Sequence, residues 1–297
     1  MSVENIQRDS EFLAQRKKLL AVAYRMLGST TDAEDVVQDT YIRWQNSGLD
    51  IDNPAAFLHK ITVNLSLDRL RARSKSRIDY VGPWLPEPFI DSDKSRDLQN
   101  PEELVAGLST AFMIVLERLT PLQRAVYLSK QIIGLSHNEI ADLLDISAES
   151  SRTHHRRAKQ ALSGAEKQRY EVNRDEHRNL LEKFMLAVAA GDVNALQGIL
   201  AANVTCYSDG GGKVAAASKP FSGALAVIKF LLGTARFRSA NAMPHIVTVN
   251  GSYGLFIADS AGDSLLTIGC DNGKLTELFI QRNPEKLAGL RQALFSQ

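Results

Sequence analysis

Helix signals stop abruptly between Asp79 and Leu104, in DYVGPWLPEPFIDSDKSRDLQNPEEL. Four prolines fall between Pro83 and Pro101. Each removes a backbone donor, fixes its own φ and biases the preceding residue away from the α region, so no helix runs through. A chain interrupted in this way is built from separate units on either side of a linker. The length of 297 residues agrees, since about 150 residues per domain is the soft expectation. The linker does not have the composition of a floppy tether throughout. Trp84, Leu85 and Phe89 gain by being buried. The Trp84-Leu-Pro-Glu-Pro core therefore either lies on whichever domain is nearest or is a specific docking motif.

Residues 10–77 read as helical. Phe12, Leu19, Leu20, Ala23 and Leu27 form a first apolar stripe, and Pro54 sits in the first turn of a third helix. Between them lies STTDAEDVVQDTYIRW, where Thr31 and Glu34 have the spacing of a capping box. Ala33, Val36, Val37, Thr40, Tyr41 and Trp44 then fall within an arc of about 140°, a core stripe. The far side carries Asp35, Gln38 and Asp39, with Ile42 in their midst. A solvated face accounts for the acids but not for the isoleucine, so this stripe is expected to meet another protein. Downstream, KITVNLSLDRLRARSKSR holds six basic residues and one acid, Asp68. Arg69, Arg73 and Arg77 recur every four residues along one face, with Lys60 upstream and Arg71 and Lys75 flanking. Such a stripe either tracks phosphates or is a solvated basic face. If all six engaged phosphates, log affinity would fall with log salt at a slope of roughly −5.

Residues 102–165 are again helical, and their punctuation is legible. Thr120-Pro-Leu-Gln offers a cap, a proline at the first helical position and a glutamine for a capping box. Ser136-His-Asn-Glu offers a second box, Asp145-Ile-Ser breaks the pattern, and Ser147 caps AESSRTHHRRAKQAL. A short helix, a three-residue turn and a helix rich in Arg and His form either a helix-turn-helix or a plain helical hairpin with a polar face. The second helix carries Arg152, Arg156, Arg157 and Lys159. Two basic helices on opposite sides of a linker favour a two-site DNA reader.

From about Val172 the character changes. Two helices, near 174–190 and 192–200, precede VTCYS, PHIVTVN, YGLFIADS, SLLTIGC and KLTELFIQR, short runs rich in β-branched and aromatic residues. Asp271-Asn-Gly is a hairpin signal, a helix near 223–232 interrupts, and NPEKLAGLRQALF closes the chain. The expectation is α+β, a meander curved around helices. Cys206 and Cys270 are far apart and lack metal-ligand spacing, which suits free thiols in a reducing compartment. No apolar run approaches the roughly 18 residues of a membrane span and no signal-peptide core opens the sequence, so a cytoplasmic protein is expected. Net charge of +1 says nothing about partners.

DAEDVVQDTYIRW, NPAAFLHKITVNLSLDRLRAR and LTPLQRAVYLSKQIIGLSHNEIADLLDISAESSRTHHRRAKQAL, in that order and spacing, resemble bacterial RNA polymerase sigma factors of the extracytoplasmic-function (ECF) group. WLPEP, the DGGGK at 209–213 and the NPEKL at 283–287 resemble the SigJ-like subgroup, which carries a SnoaL-like extension. The resemblance implies a multidomain chain of two all-α sigma domains followed by an α+β, NTF2-like cone-shaped barrel. Region 2 would occupy 1–79, the linker 80–101, the region 4 helix-turn-helix 102–166 and the SnoaL-like domain 172–297.

It also implies partners and sites. Asp35, Gln38, Asp39 and Ile42 would dock on the polymerase clamp, with the flap as a further polymerase contact. Lys60, Asn64, Arg69, Arg71, Arg73 and Arg77 would read the minus-ten element. Asn64 is placed at a turn before the basic helix, near a base flipped from the non-template strand. Ser150, Arg152, Thr153, His154 and Arg156 would approach minus-thirty-five bases, and Arg157 and Lys159 phosphates. Ser151 and His155 depart from the family, whose members more often carry core-facing aliphatic residues there. That leaves a weaker core, a shifted helix or an interior neutral His155 as alternatives.

The extra domain is expected to regulate in cis, without a separate anti-sigma factor. Asp209, Gly210, Gly211, Gly212 and Lys213, with Asn283, Pro284 and Leu287, would meet Trp84, Leu85, Pro86, Glu87 and Pro88. The glycine loop lacks the frame of a phosphate-binding loop, so a tight turn with close backbone approach is the better reading. No cofactor, metal or catalytic residue is expected. Two competitors stand: an enzymatic or ligand-sensing C-terminal pocket, which would need His245 with Asp259 or Asp263 facing inward, and a helix-turn-helix repressor that never touches polymerase.

Overall fold

A computed structural model describes residues 3–47, 51–76, 80–90, 109–163 and 174–295. Chain contacts sort these into two units. One holds 3–47, 51–76 and 115–163; the other holds 80–90, 109–114 and 174–295. The linker's described part thus belongs to the C-terminal unit. Its remainder, together with Arg77 and Pro101, lies outside the described residues.

In the first unit, α1 (Val3–Leu27), α2 (Thr30–Gln45) and α3 (Pro54–Ser76) pack around Phe12, Leu19, Val37, Trp44 and Leu58. The core stripe of α2 is buried as its spacing requires, at Ala33, Val36, Val37, Thr40 and Trp44. Its cap is not the expected one. Gly28 turns left-handed, at φ 66°, and ends α1, so the chain re-enters helix at once and Ser29, not Thr31, accepts from the Asp32 amide at 3.3 Å. The short connection moves the cap two residues towards the N-terminus.

The later helices of this unit follow the residues 110–116 of α4 (Thr110–Leu116): α5 (Pro121–Leu128), a π-helical turn (Ser129–Ile133), α6 (His137–Leu144) and α7 (Ala148–Ala161). Both capping boxes form, Thr120 with Gln123 and Ser136 with Glu139, and Ser147 caps α7. Asp145 adopts φ 55° at the end of α6, which reverses the chain into the three-residue turn.

The second unit has α8 (Arg174–Ala190), α9 (Val193–Ile199), β1 (Leu200–Asp209), β2 (Phe221–Ser222), α10 (Ala224–Ala235), β3 (Met243–Val249), β4 (Ser252–Ala258), β5 (Ser264–Asp271), β6 (Lys274–Gln281) and α11 (Pro284–Phe295). The sheet order is β2-β1-β6-β5-β4-β3. Strands β3 to β6 form the expected meander, but β1 pairs parallel to β6, so the sheet is mixed. Asn272 and Gly273 take φ 49° and 69° between Asp271 and Lys274, the two-residue hairpin. One face packs Leu255, Ile257, Leu266 and Ile268 against Leu181, Phe184, Ile228 and Leu231 of α8 and α10. The other packs Val249, Phe256 and Leu265 against Leu287 and Leu290 of α11, while Phe279 meets Leu85 and Ala111.

His59 of α3 is a buried titratable group in the first unit. Burial, with Lys18 adding to it, lowers its pKa to about 4. Above about pH 6.5 the ring is neutral both folded and unfolded. Below that, the unfolded chain takes a proton that the fold refuses until about pH 4, so stability falls through this window by about 2–3 kcal/mol. Thermal unfolding of His59→Asn should show a shallower loss between pH 6.5 and 4 than the parent chain; an unchanged slope would assign the loss to other groups.

Candidate polymerase and nucleic-acid interfaces

The acidic stripe of α2 and the basic stripe of α3 lie against each other. Arg69 extends one guanidinium nitrogen to Asp35 at 3.3 Å and the other to Asp39 at 3.1 Å, and donates to the Asp32 carbonyl at 3.1 Å. Arg73 pairs with the Asp32 carboxylate and donates to the Leu27 carbonyl at 3.2 Å. Arg71 pairs with Asp68 one turn back at 3.5 Å. Asp35, Gln38 and Ile42 remain exposed, the isoleucine at 48%. Arg77 and the Lys75 side chain lie outside the described residues.

Asn64 is in the middle of α3, not at a turn. Val63, Leu67 and Leu70 keep a helical core spacing through this point. The buried hydroxyls of Thr62 and Ser66 donate to carbonyls one turn back, at 2.9 and 2.7 Å, so polar residues that could break the helix are satisfied within it. Both predicted readers here face α6. Lys60 Nζ donates to the Asp142 carbonyl at 3.1 Å and Asn64 Nδ2 to the Leu143 carbonyl at 3.3 Å. These carbonyls belong to the last turn of α6, where a helix lacks internal donors and favours a cation.

On α7, Arg152, Arg156, Arg157 and Lys159 are exposed, and Ser150, Thr153 and His154 are half-buried. Burial, then Arg157, lowers the pKa of His154. The two departures from the family have partners. Ser151 is fully buried and its hydroxyl meets His137 Nδ1 at 2.9 Å. His155 is half-buried against Tyr127 and His137 and meets Gln131 at 3.2 Å. Hydrogen-bonded polar groups therefore stand where aliphatic packing is usual. Burial lowers the His137 pKa, helped by Lys130 and Arg152.

Arg124 was not singled out by its sequence, although it sits inside the apolar run of α5. Its side chain is 2% exposed; it donates to the Met26 carbonyl at 2.8 Å and the Leu116 carbonyl at 2.6 Å, and pairs with Glu117 at 2.9 Å. Burial lowers its pKa to about 9, which leaves it charged at neutral pH.

In the other unit the linker segment 80–90 forms a strap on the sheet. Asp209, wholly buried at the end of β1, accepts from Tyr80 Oη at 2.6 Å, the Leu85 amide at 2.9 Å and the Gly211 amide at 2.9 Å. It also accepts from Gln281 at 3.3 Å and Lys286 at 2.7 Å. Lys286 also donates to the Leu85 carbonyl at 2.7 Å, and its ammonium lies 4.6 Å from the Trp84 ring centre and 4.9 Å from that of Tyr80. Gln281 reaches the Leu85 and Pro86 carbonyls, and Phe89 and Asn250 exchange two hydrogen bonds at 3.1 and 2.9 Å. Pro86 and Pro88 are buried and Glu87 half-buried.

The glycine loop explains its own composition. Gly211 takes φ 61°, and a Cβ there would collide with the Asn283 side chain; Gly212 takes φ 72° beside Val81. Gly210 is buried, and Lys213 pairs with Glu285. Asn283 donates to Tyr80 Oη at 3.4 Å, Pro284 is exposed at the start of α11, and Leu287 packs near Ile90. Tyr80, Asn250, Gln281 and Lys286 were missed. Lys286 lies inside NPEKL, where a lysine in the first turn of a helix reads as surface.

His245, Asp259 and Asp263 do not form an inward acid-base pair. His245 pairs in register with Phe256 and meets Phe295 edge-on, on the α11 face of the sheet, while the opposite face is filled by the α8 and α10 side chains. Asp259 accepts from Ser239 and Ala261, and Asp263 holds Arg291. Among the described residues, no group of three or more His, Cys, Asp or Glu is placed to hold a metal ion, and no helix is long and apolar enough to cross a membrane.

The Sigma-70 region 2 model matches residues 12–76 and the Sigma-70, region 4 model matches residues 111–162. The ECF RNA polymerase sigma factor SigJ of Mycobacterium tuberculosis is 31% identical over 296 residues, 94% of this chain and 93% of that one. This chain belongs to the ECF sigma-70 family. A crystal structure of the M. tuberculosis SigJ has a TM-score of 0.75 at 30% identity, covering 94% of this chain and 98% of that one. SigE of Mycolicibacterium smegmatis is 34% identical over 150 residues, 49% of this chain and 56% of that one. The α1–α3 bundle is thus region 2 of an ECF sigma factor, α5–α7 lie in its region 4, and the α+β unit is the SnoaL-like extension. Membership makes the protein a transcription initiation factor.

Removing the Lys286 charge would leave a buried carboxylate without its cation. Lys286→Met should destabilise the C-terminal unit by about 3–5 kcal/mol. Urea unfolding followed by Trp84 fluorescence in a Trp44→Phe background would measure this, and a change below about 1 kcal/mol would mean that the backbone donors alone hold Asp209.

Proposed function

We propose that this sigma factor binds core polymerase through Asp35, Gln38, Asp39 and Ile42 and reads its promoter with α3 and α7. Its SnoaL-like domain holds the linker so that the two readers cannot spread. Lys60, Asn64, Arg69, Arg71, Arg73 and Arg77 serve the minus-ten element. Ser150, Arg152, Thr153, His154, Arg156, Arg157 and Lys159 serve the minus-thirty-five element. No separate anti-sigma protein is needed in this reading.

The contact of Lys60 and Asn64 with the end of α6 carries the argument. Elements named minus-ten and minus-thirty-five lie about 25 base pairs apart, hence about 85 Å along a duplex. Regions 2 and 4 in hydrogen-bonding contact cannot occupy both at once. Chain connectivity supplies the restraint. The strap begins at Tyr80, four residues beyond the end of α3, and Ala111, at the start of the region 4 match, shares a cluster with Leu85 and Phe279. The extension therefore holds the start of the linker and the first turn of α4, which follows the linker in sequence. Opening requires these contacts to be worth only a few kcal/mol, so that polymerase and promoter binding can compete.

Cutting the extension away would expose Leu85 and Ala111, so point variants are the sharper test. In run-off transcription with core polymerase, Lys286→Met and Asp209→Asn should raise promoter-directed output. Output equal to that of the parent chain in both variants would remove the regulatory reading. Charge reversal at Asp39 should abolish co-purification with core polymerase while the fold persists, and retention would point instead to a repressor.

A further inference from the structure

Arg69 is held by the same two carboxylates that α2 offers to polymerase, and its Asp35-facing nitrogen also donates to the Asp32 carbonyl at 3.1 Å, with the Asp32 carboxylate 3.9 Å away. One guanidinium nitrogen lies 3.3 Å from Asp35 and the other 3.1 Å from Asp39, so the fork that could clasp a phosphate is already filled. The pair is within reach of solvent: the Arg69 side chain is 30% exposed, Asp35 56% and Asp39 47%. Exposed ion pairs are weak and exchange readily, unlike buried ones. The neighbouring arginines differ. Arg73 is tied to Asp32 and to the Leu27 carbonyl, neither of which belongs to the acidic stripe, and Arg71 pairs with Asp68 on its own helix.

We propose that Asp35 and Asp39 are an internal competitor for Arg69, released when a cationic polymerase surface takes up the two acids, so that core binding and phosphate binding are coupled through this guanidinium. The inference rests on the assignment of α2 to polymerase and α3 to DNA. Before polymerase arrives, the acids occupy Arg69 and repel nearby phosphates. Once their charge is met elsewhere, Arg69 turns to DNA. Linkage makes the effect reciprocal: DNA that captures Arg69 frees the acids and tightens the grip on polymerase by the same factor.

A double-mutant cycle on the full chain tests this, with fluorescence anisotropy against a 30-nucleotide single strand of mixed sequence over a salt series and without polymerase. Asp39→Asn, at a half-exposed position that tolerates the amide, should raise affinity roughly two- to five-fold. It should steepen the log-log salt slope by about 0.7, the increment for one phosphate on a single strand. In an Arg69→Gln background the same substitution should leave the slope unchanged. Equal effects in both backgrounds would show a plain charge effect, and no effect in either would show that the acids do not restrain Arg69; each overturns the proposal. Co-purification of Asp39→Asn with core polymerase is read separately. Undiminished core binding beside a positive cycle would overturn the role of α2 while leaving the ion pair in place.

Discussion

A carboxylate with no exposed surface organises the C-terminal half of the molecule. Asp209 sits where β1 ends, the glycine loop begins and the strap crosses, and it accepts from five donors supplied by four chain segments. Burying such a charge is expensive unless it is paired and its lone pairs are met. Here that demand fixes Tyr80, Leu85, Gln281 and Lys286 together, and Lys286 in turn places its ammonium against two aromatic rings. The strap is therefore part of the domain's fold. A Pro-rich segment with few backbone donors is held by what the sheet supplies.

The helical half relies on a different kind of contact. Lys60 and Asn64 meet the orphan carbonyls of α6, and Arg124 meets one at the end of α1. Helix ends leave such groups open, so they accept a partner helix's side chain without any change in backbone. Individually these bonds contribute little beyond what water would provide. Arg124 is the exception, because its burial leaves it nowhere else to satisfy its charge. A mixture of one strong and several weak ties suits regions that must part on a promoter.

The residues showed the helices and their stops clearly. Proline at a first turn, the pairs Thr120 with Gln123 and Ser136 with Glu139, and the Asp-Asn-Gly hairpin act through local geometry, and these formed where their spacing put them. What was not legible depended on neighbours distant in sequence. The cap of α2 moved to Ser29 because α1 ended close by, Asn64 stayed helical because its neighbours bond within the helix, and β1 took a parallel place beside β6. The candidate sites show the same division. The acidic and basic stripes could be read from their periodicity, but their mutual pairing could not, since residues 35 and 69 carry no local sign of meeting. Lys286 and Tyr80 escaped notice because a cation and a phenol ordinarily belong at a surface.

The first turns of α4 pack with the sheet's outer face, yet the same helix opens the match to region 4. Homology and mechanics therefore divide the chain at different residues. A chimera that exchanged the extension for a homologue's would have to carry Thr110–Ile114 with the incoming sheet, or else leave Ala111 against a surface shaped for another sequence. In that sense the helix is joint property of two modules, and neither can drift in sequence there without the other following.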